Sequence, residues 1–164
     1  MFASAAPIIP LIEPATCLPC GPMCLPSSIR AGTIYDWLNS QKTYTKVLGL
    51  IDRADYKHLF NADNADLTFL AVNDRDMPPT LNPRNMTLSQ ASDFLAPHMI
   101  DRRMPVALFK RSKFARFATR DRHHWIPVVY LGGCIMVANA KFLMGDIRAT
   151  NGLIHVVNRP IQLE

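Results

Sequence analysis

Two histidines, a cysteine cluster and a run of arginines and lysines are the residues of this chain whose types could do chemistry. His98 and His155 could serve as a base or a metal ligand near neutral pH. Each stands in apolar surroundings, His98 behind Ala96-Pro97 and His155 inside the strand-like segment 153–158. A histidine so placed ordinarily donates a ring N–H to a nearby oxygen and satisfies a buried polar group. There is no Gly-x-Ser-x-Gly elbow, phosphate loop or His-Glu-x-x-His helix to complete a catalytic set. Asp52, Asp55, Asp63, Asp66, Asp74 and Asp76 match no calcium-loop spacing and read as caps and turns. His123-His124 could hold a metal only with partners that the sequence does not identify. No catalytic residue, cofactor, metal or small-molecule substrate is expected.

Cys17, Cys20 and Cys24 lie close together, and Cys134 lies far from them. A C-x2-C-x3-C triplet with a distant fourth cysteine fits the two separated ligand pairs of structural zinc poorly. Disulfides within the cluster or to a partner need an oxidising compartment. The simplest reading makes the three small apolar side chains of a buried docking arm. Cys134, within the apolar run 128–138, reads as a core residue.

Positive charge gathers at Arg102-Arg103 and in the run KRSKFARFATR, 110–120, with Arg122-His123-His124 behind it. Phe109, Phe114 and Phe117 interleave with the cations, a pattern that fits an acidic protein surface, a polyanion or a plain solvated face. Arg111, Lys113 and Arg116 are the candidate contacts. If 114–119 is a strand, Phe114 and Phe117 point to opposite sides, so they form no single stacking platform for bases.

The elements that position these residues follow from periodicity. Residues 1–30 hold Pro7, Pro10, Pro14, Pro19, Pro22 and Pro26, more than a third of the chain's 13 prolines, and only Glu13 and Arg30 are charged there. That segment excludes a regular helix or central strand, and it is too apolar for a solvated linker; it is expected to be an extended arm lying against a surface. Met1 reads as the natural start, and the segment 1–14 lacks the basic opening of a secretory signal.

Thr33 and Asp36 form a capping-box pattern before Ile34, Trp37 and Leu38, and helical spacing continues through Val47, Leu48, Ile51 and Ala54, then Tyr56, Leu59 and Phe60. Residues 67–72 are apolar in both alternating sets, which fits a strand buried on both faces. Pro78, Pro79 and Pro83 enforce a loop. Thr87 and Gln90 then cap a short helix with Leu88, Ala91, Phe94 and Leu95 on one face. From Val106 onward the chain looks like strands, over 114–119, 125–130, 135–138, 141–144 and 153–158, with Gly132-Gly133 and Asn151-Gly152 as turns. Helices first and strands second make an α+β domain over 31–164, behind the Pro/Cys-rich arm 1–30.

The segment AKFLMGDIRATNGLIHVVNRPI, 140–161, resembles the second conserved motif of the fasciclin domain family. LTFLAVND, 67–74, resembles the first motif, although its FLAVN core lacks the usual proline, and Ala96-Pro97-His98 resembles the Tyr-His element with proline in the tyrosine's place. TIYDWL, 33–38, looks like the family's opening helix, so the resemblance spans about 33–161. It implies a fasciclin-like fold, short helices followed by a strand-rich β-wedge. It also implies structural roles for Asn73, His98, Asn151, Gly152 and His155, and adhesive or structural rather than catalytic work. Met144-Gly145-Asp146 is not an Arg-Gly-Asp tripeptide, so receptor binding of that kind is not implied.

At 164 residues with 49% hydrophobic side chains, the chain is long enough for one core, and a net charge of +5 favours acidic partners. No apolar run reaches the length of a membrane helix. The reading is a non-enzymatic protein-interaction module, a subunit of a large assembly such as a viral minor capsid or cement protein, its partners the other protein subunits. A secreted or cell-surface adhesion domain and a polyanion or nucleic-acid binder are the alternatives. Asn85-Met86-Thr87 is a glycosylation sequon relevant to the first of these.

Overall fold

A computed structural model of the chain describes residues 32–111, 114–120 and 124–163. The expected arm 1–30, with Cys17, Cys20 and Cys24, lies outside the described residues, as does Lys113.

The fold begins with a helix that caps itself. The Thr33 hydroxyl accepts from the Asp36 N–H at 3.2 Å, and the Asp36 carboxylate accepts the Thr33 N–H at 3.0 Å, starting α1 (Ile34–Ser40). Helix α2 (Thr45–Arg53) has no such residue of its own. Asp74 reaches back from the end of the first strand to accept the N–H groups of Thr45 and Lys46, each at 2.8 Å. Val47, Leu50 and Ile51 form its buried stripe, and Phe60 is the buried anchor of α3 (Lys57–Asn61).

All six residues of β1 (Leu67–Val72) are buried, as the two apolar sets require. Two 3-10 turns, Asp74–Asp76 and Pro83–Asn85, carry the loop that the prolines enforce. Thr87 and Gln90 complete their capping box at α4 (Leu88–Leu95), which buries Ala91 and Leu95. Leu88, expected on that buried face, is instead exposed, at the first position of the helix. A further 3-10 turn, Ala96–His98, leads into the two-residue β2 (Met99–Ile100).

The strand-like reading from Val106 needs correction. Val106–Arg111 is a helix, α5. Pro105 sets φ ahead of it, and the Asp146 carboxylate accepts the Val106 N–H at 2.8 Å, so the helix is started by a residue 40 positions away. Strands then follow: β3 (Phe114–Ala118), β4 (Trp125–Leu131), β5 (Cys134–Val137), β6 (Ala140–Ala149) and β7 (Gly152–Val157). Gly132 and Gly133 both take positive φ and close the tight turn between β4 and β5.

The strand order is β2-β1-β7-β6-β5-β4-β3. Strands β1 and β7 run parallel over six paired positions, and all other pairs are antiparallel. Strand β6 links two sheets: Ala140 and Lys141 pair with β5, and residues from Phe142 onward pair with β7 through two register shifts. It extends well past the expected 141–144, because the bulge at Gly145-Asp146 breaks the alternation that marks a strand. The core runs from the helices through β1 and β7 to the inner side of β4 and β5, each fully buried Leu, Ile or Phe contributing about 1.5–3 kcal/mol.

Candidate protein interface

Asn151 and Gly152 close the turn into β7 and also join it to the helices. The Asn151 side-chain oxygen accepts the Ile34 N–H at 2.9 Å, and its amide donates to the Phe60 carbonyl at 2.7 Å. Next to it, a Cβ on Gly152 would lie 1.9 Å from the Leu67 carbonyl oxygen, so only glycine lets β7 approach β1 there. Asn73 opens the 3-10 turn after β1, its carbonyl accepting the Asp76 N–H at 3.0 Å.

Both histidines are buried and spend both ring nitrogens on the backbone. His98 lies 2.9 Å through Nδ1 from the Phe94 carbonyl, and its Nε2 accepts the Ile161 N–H at 3.1 Å. His155 lies 2.7 Å through Nε2 from the Met104 carbonyl, and its Nδ1 accepts the Asp146 N–H at 3.0 Å. These bonds assign one protonated and one bare nitrogen to each ring. Burial lowers both pKa values to about 4, against weaker raising effects of the carbonyl bonds. At neutral pH each ring is uncharged and offers no free nitrogen to a substrate.

The cations divide into two groups. Arg103 pairs with Asp66 at 2.5 Å and donates to the Thr150 carbonyl, while Arg120 pairs with Asp101 at 2.6 Å. Arg111 and Arg116 are exposed and form no ion pair among the described residues. Arg111 lines an open cleft of about 300 Å³ between α5 and β3, whose apolar floor is Met104, Leu108, Ala115 and Phe117. Arg102 faces it, its guanidinium carbon 5.4 Å from the Phe117 ring centre. The sequence pattern flagged Arg102 only as part of the positive charge; its stacking depends on a tertiary contact. Arg116 alternates with Ala115 and Phe117 and so faces away from this cleft, beside Phe114.

That second side is an apolar sheet face. Residues opposite one another on an antiparallel ladder share a side, which sets Phe114, Val129, Met136 and Lys141 in one row and Leu131 with Cys134 in the next. Phe114 is 76% exposed, Leu131 70% and Trp125 59%. The inner side of the same strands buries Ile126, Val128, Ile135 and Val137. Cys134 is therefore not the expected core residue: it is half-buried, on the outer side, and disulfide-bonded. The run 128–138 is apolar on both sides, so hydrophobicity alone could not tell inner from outer positions.

Residues 42–163 match the model of the family described as the fasciclin domain. No curated protein matches the chain. Among solved structures, a FAS1 domain pair from the insect cell adhesion molecule fasciclin I superposes with a TM-score of 0.67 at 18% identity. The match covers 81% of this chain and 51% of that one, so the chain spans about half of that pair and the likeness is one of fold.

Proposed function

The chain belongs to the fasciclin domain family, and from that membership we propose that it is a non-enzymatic structural or adhesive module that binds acidic segments of other proteins. The observation that supports this most directly is the end of the sheet. Strand β3 is last in the strand order and carries Phe114 and Arg116 outward, and Arg111 stands beside it without an ionic partner among the described residues. An exposed strand edge pairs readily with another extended chain, and nearby cations would select an acidic one. The finer proposal is a building block of a larger protein assembly; nothing in the fold ties such an assembly to a virion.

The test titrates the full chain with a strand-forming peptide of alternating glutamate and valine, and in parallel with heparin and single-stranded DNA. The peptide should bind, and Arg111→Glu with Arg116→Glu should weaken it at least ten-fold. Unchanged binding would remove this surface from the reading. Heparin or DNA binding more tightly than the peptide at physiological salt would replace an acidic protein with a polyanion.

Two observations favour a secreted or cell-surface setting for the same activity. A disulfide at Cys134 belongs to an oxidising compartment, and Asn85 of the sequon is exposed. Native protein should then lose mass on treatment with an N-glycosidase; unmodified Asn85 would count against that setting.

A further inference from the structure

The cleft between α5 and β3 carries its charge and its apolar surface at different depths. Met104, at the base, is 1% exposed, and Leu108, Ala115 and Phe117 around it are half-buried. Arg102 and Arg111, which complete the described lining, are exposed and so stand at the rim. Neither guanidinium forms an ion pair among the described residues, and none of the described lining residues is acidic. Arg102 is held over the Phe117 ring, a contact that uses no hydrogen-bond acceptor, so its N–H donors remain for an anion.

A ligand suited to this arrangement sets an apolar group down and an anion up, joined by a short link. We propose that the cleft takes the C-terminal residue of a partner protein, with a large aliphatic or aromatic last side chain on the floor and the free α-carboxylate paired with Arg102 and Arg111 at the rim. An α-carboxylate stands one carbon from its own side chain, and arginine can hold it through two parallel N–H···O bonds. A volume of about 300 Å³ lies at the lower end of ligand sites, roughly 300–1,000 Å³, and suits one side chain better than a longer ligand. An internal glutamate or aspartate fits less well. Its anion is at the side chain's tip, and would meet the apolar floor and lose its water there.

The sheet supplies the approach. Strand β3 ends the strand order, and Ala115 and Phe117 lie opposite Val128 and Ile126 on its inner side. An extended chain added along β3 sends alternate side chains to that inner side, so one that ends beside the cleft can turn its last side chain in. This deepens the reading above, on which it rests for a protein partner at this edge, but it takes the anion from the chain end and not from acidic side chains.

The test titrates the full chain, by calorimetry, with a short N-acetylated peptide of alternating threonine and valine that ends in leucine, whose one charge is its α-carboxylate. It should bind at least ten-fold more tightly than the same peptide amidated at its C-terminus, and than one ending in serine. Equal affinity for either comparator, or no measurable binding, would overturn the proposal. Arg102→Gln and Arg111→Gln, both at exposed side chains outside the core, should each weaken the free-acid peptide at least five-fold. Arg116→Gln, on the other side of β3, should not; an equal loss there would show that overall charge and not the cleft does the binding. Methyl signals of Leu108 and Ala115 should shift as the peptide binds, and signals that stay in place would rule out the cleft as its seat. The two readings fail separately. A free-acid preference that persists while the glutamate–valine peptide does not bind would remove the acidic segment alone, and the reverse would remove the chain end alone.

Discussion

At Gly152 a single methyl group decides whether two strands can meet. Adding a Cβ 1.9 Å from the Leu67 carbonyl forces β1 and β7 apart, and Gly152→Ala should cost about 3 kcal/mol, read as a lower urea midpoint with an unchanged slope. The buried histidines set a pH limit. Unfolded histidine takes up its proton near pH 6.5, whereas His98 and His155 do so only near pH 4. Their contribution to stability is therefore complete above about pH 6.5, falls as pH drops through the window to about 4, and levels off below it. The loss is at most about 3 kcal/mol for each ring, and urea melts at pH 7.5, 5.5 and 4 should show it. A flat profile would mean that the rings are hydrated in solution. The sequence alone marked His98, Asn151 and His155 by placing polar residues in apolar runs. It could not supply the hydrogen bonds, whose partners lie up to 117 positions away.

Elements were legible in proportion to how locally they are determined. Helices α1 and α4 carry their own capping boxes three residues apart, and the motifs read directly. Helix α2 is capped by Asp74, which serves no nearby helix in sequence terms, so its start was visible only as hydrophobic spacing. Asp74→Ala should cost about 1–2 kcal/mol and speed amide exchange in the first turn of α2 before affecting its end. Helix α5 escaped for the same reason, its cap coming from the β6 bulge. In the turn between β5 and β6, Ala138 takes a positive φ of 51° although it carries a Cβ. Ala138→Gly should raise stability by about 0.5–1 kcal/mol, measured as a higher melting temperature, since the relief of left-handed strain outweighs the entropy glycine adds to the unfolded chain.

Over the whole molecule, the order of helices before strands and the fasciclin resemblance carried the architecture, and the family match over 42–163 agrees with them. Which side of β4 and β5 faces outward did not follow, because both sides are apolar, and Cys134 was misplaced as a result. The paired interior of the sheet predicts a gradient of protection. Amides of β1 and β7, flanked by strands on both sides and wholly buried, should exchange slowest, and those of β3, at the edge and half-exposed, fastest. Exchange of β3 as slow as that of β7 would show that the edge is occupied in solution.

The place of β7 has a mechanical consequence. The described chain enters beside Thr150, just before β7 begins, and leaves past Val157, where Ile161 is held by His98. A pull between those two points runs along the strand's length, with β1 bonded on one side and β6 on the other. Hydrogen bonds loaded in that direction share the force and yield together in shear, whereas a pull across the strand would open them one after another. In the structural or adhesive role proposed above, this would let tension cross the domain while it stays folded, at an unfolding rate set by β7 rather than by the β3 edge.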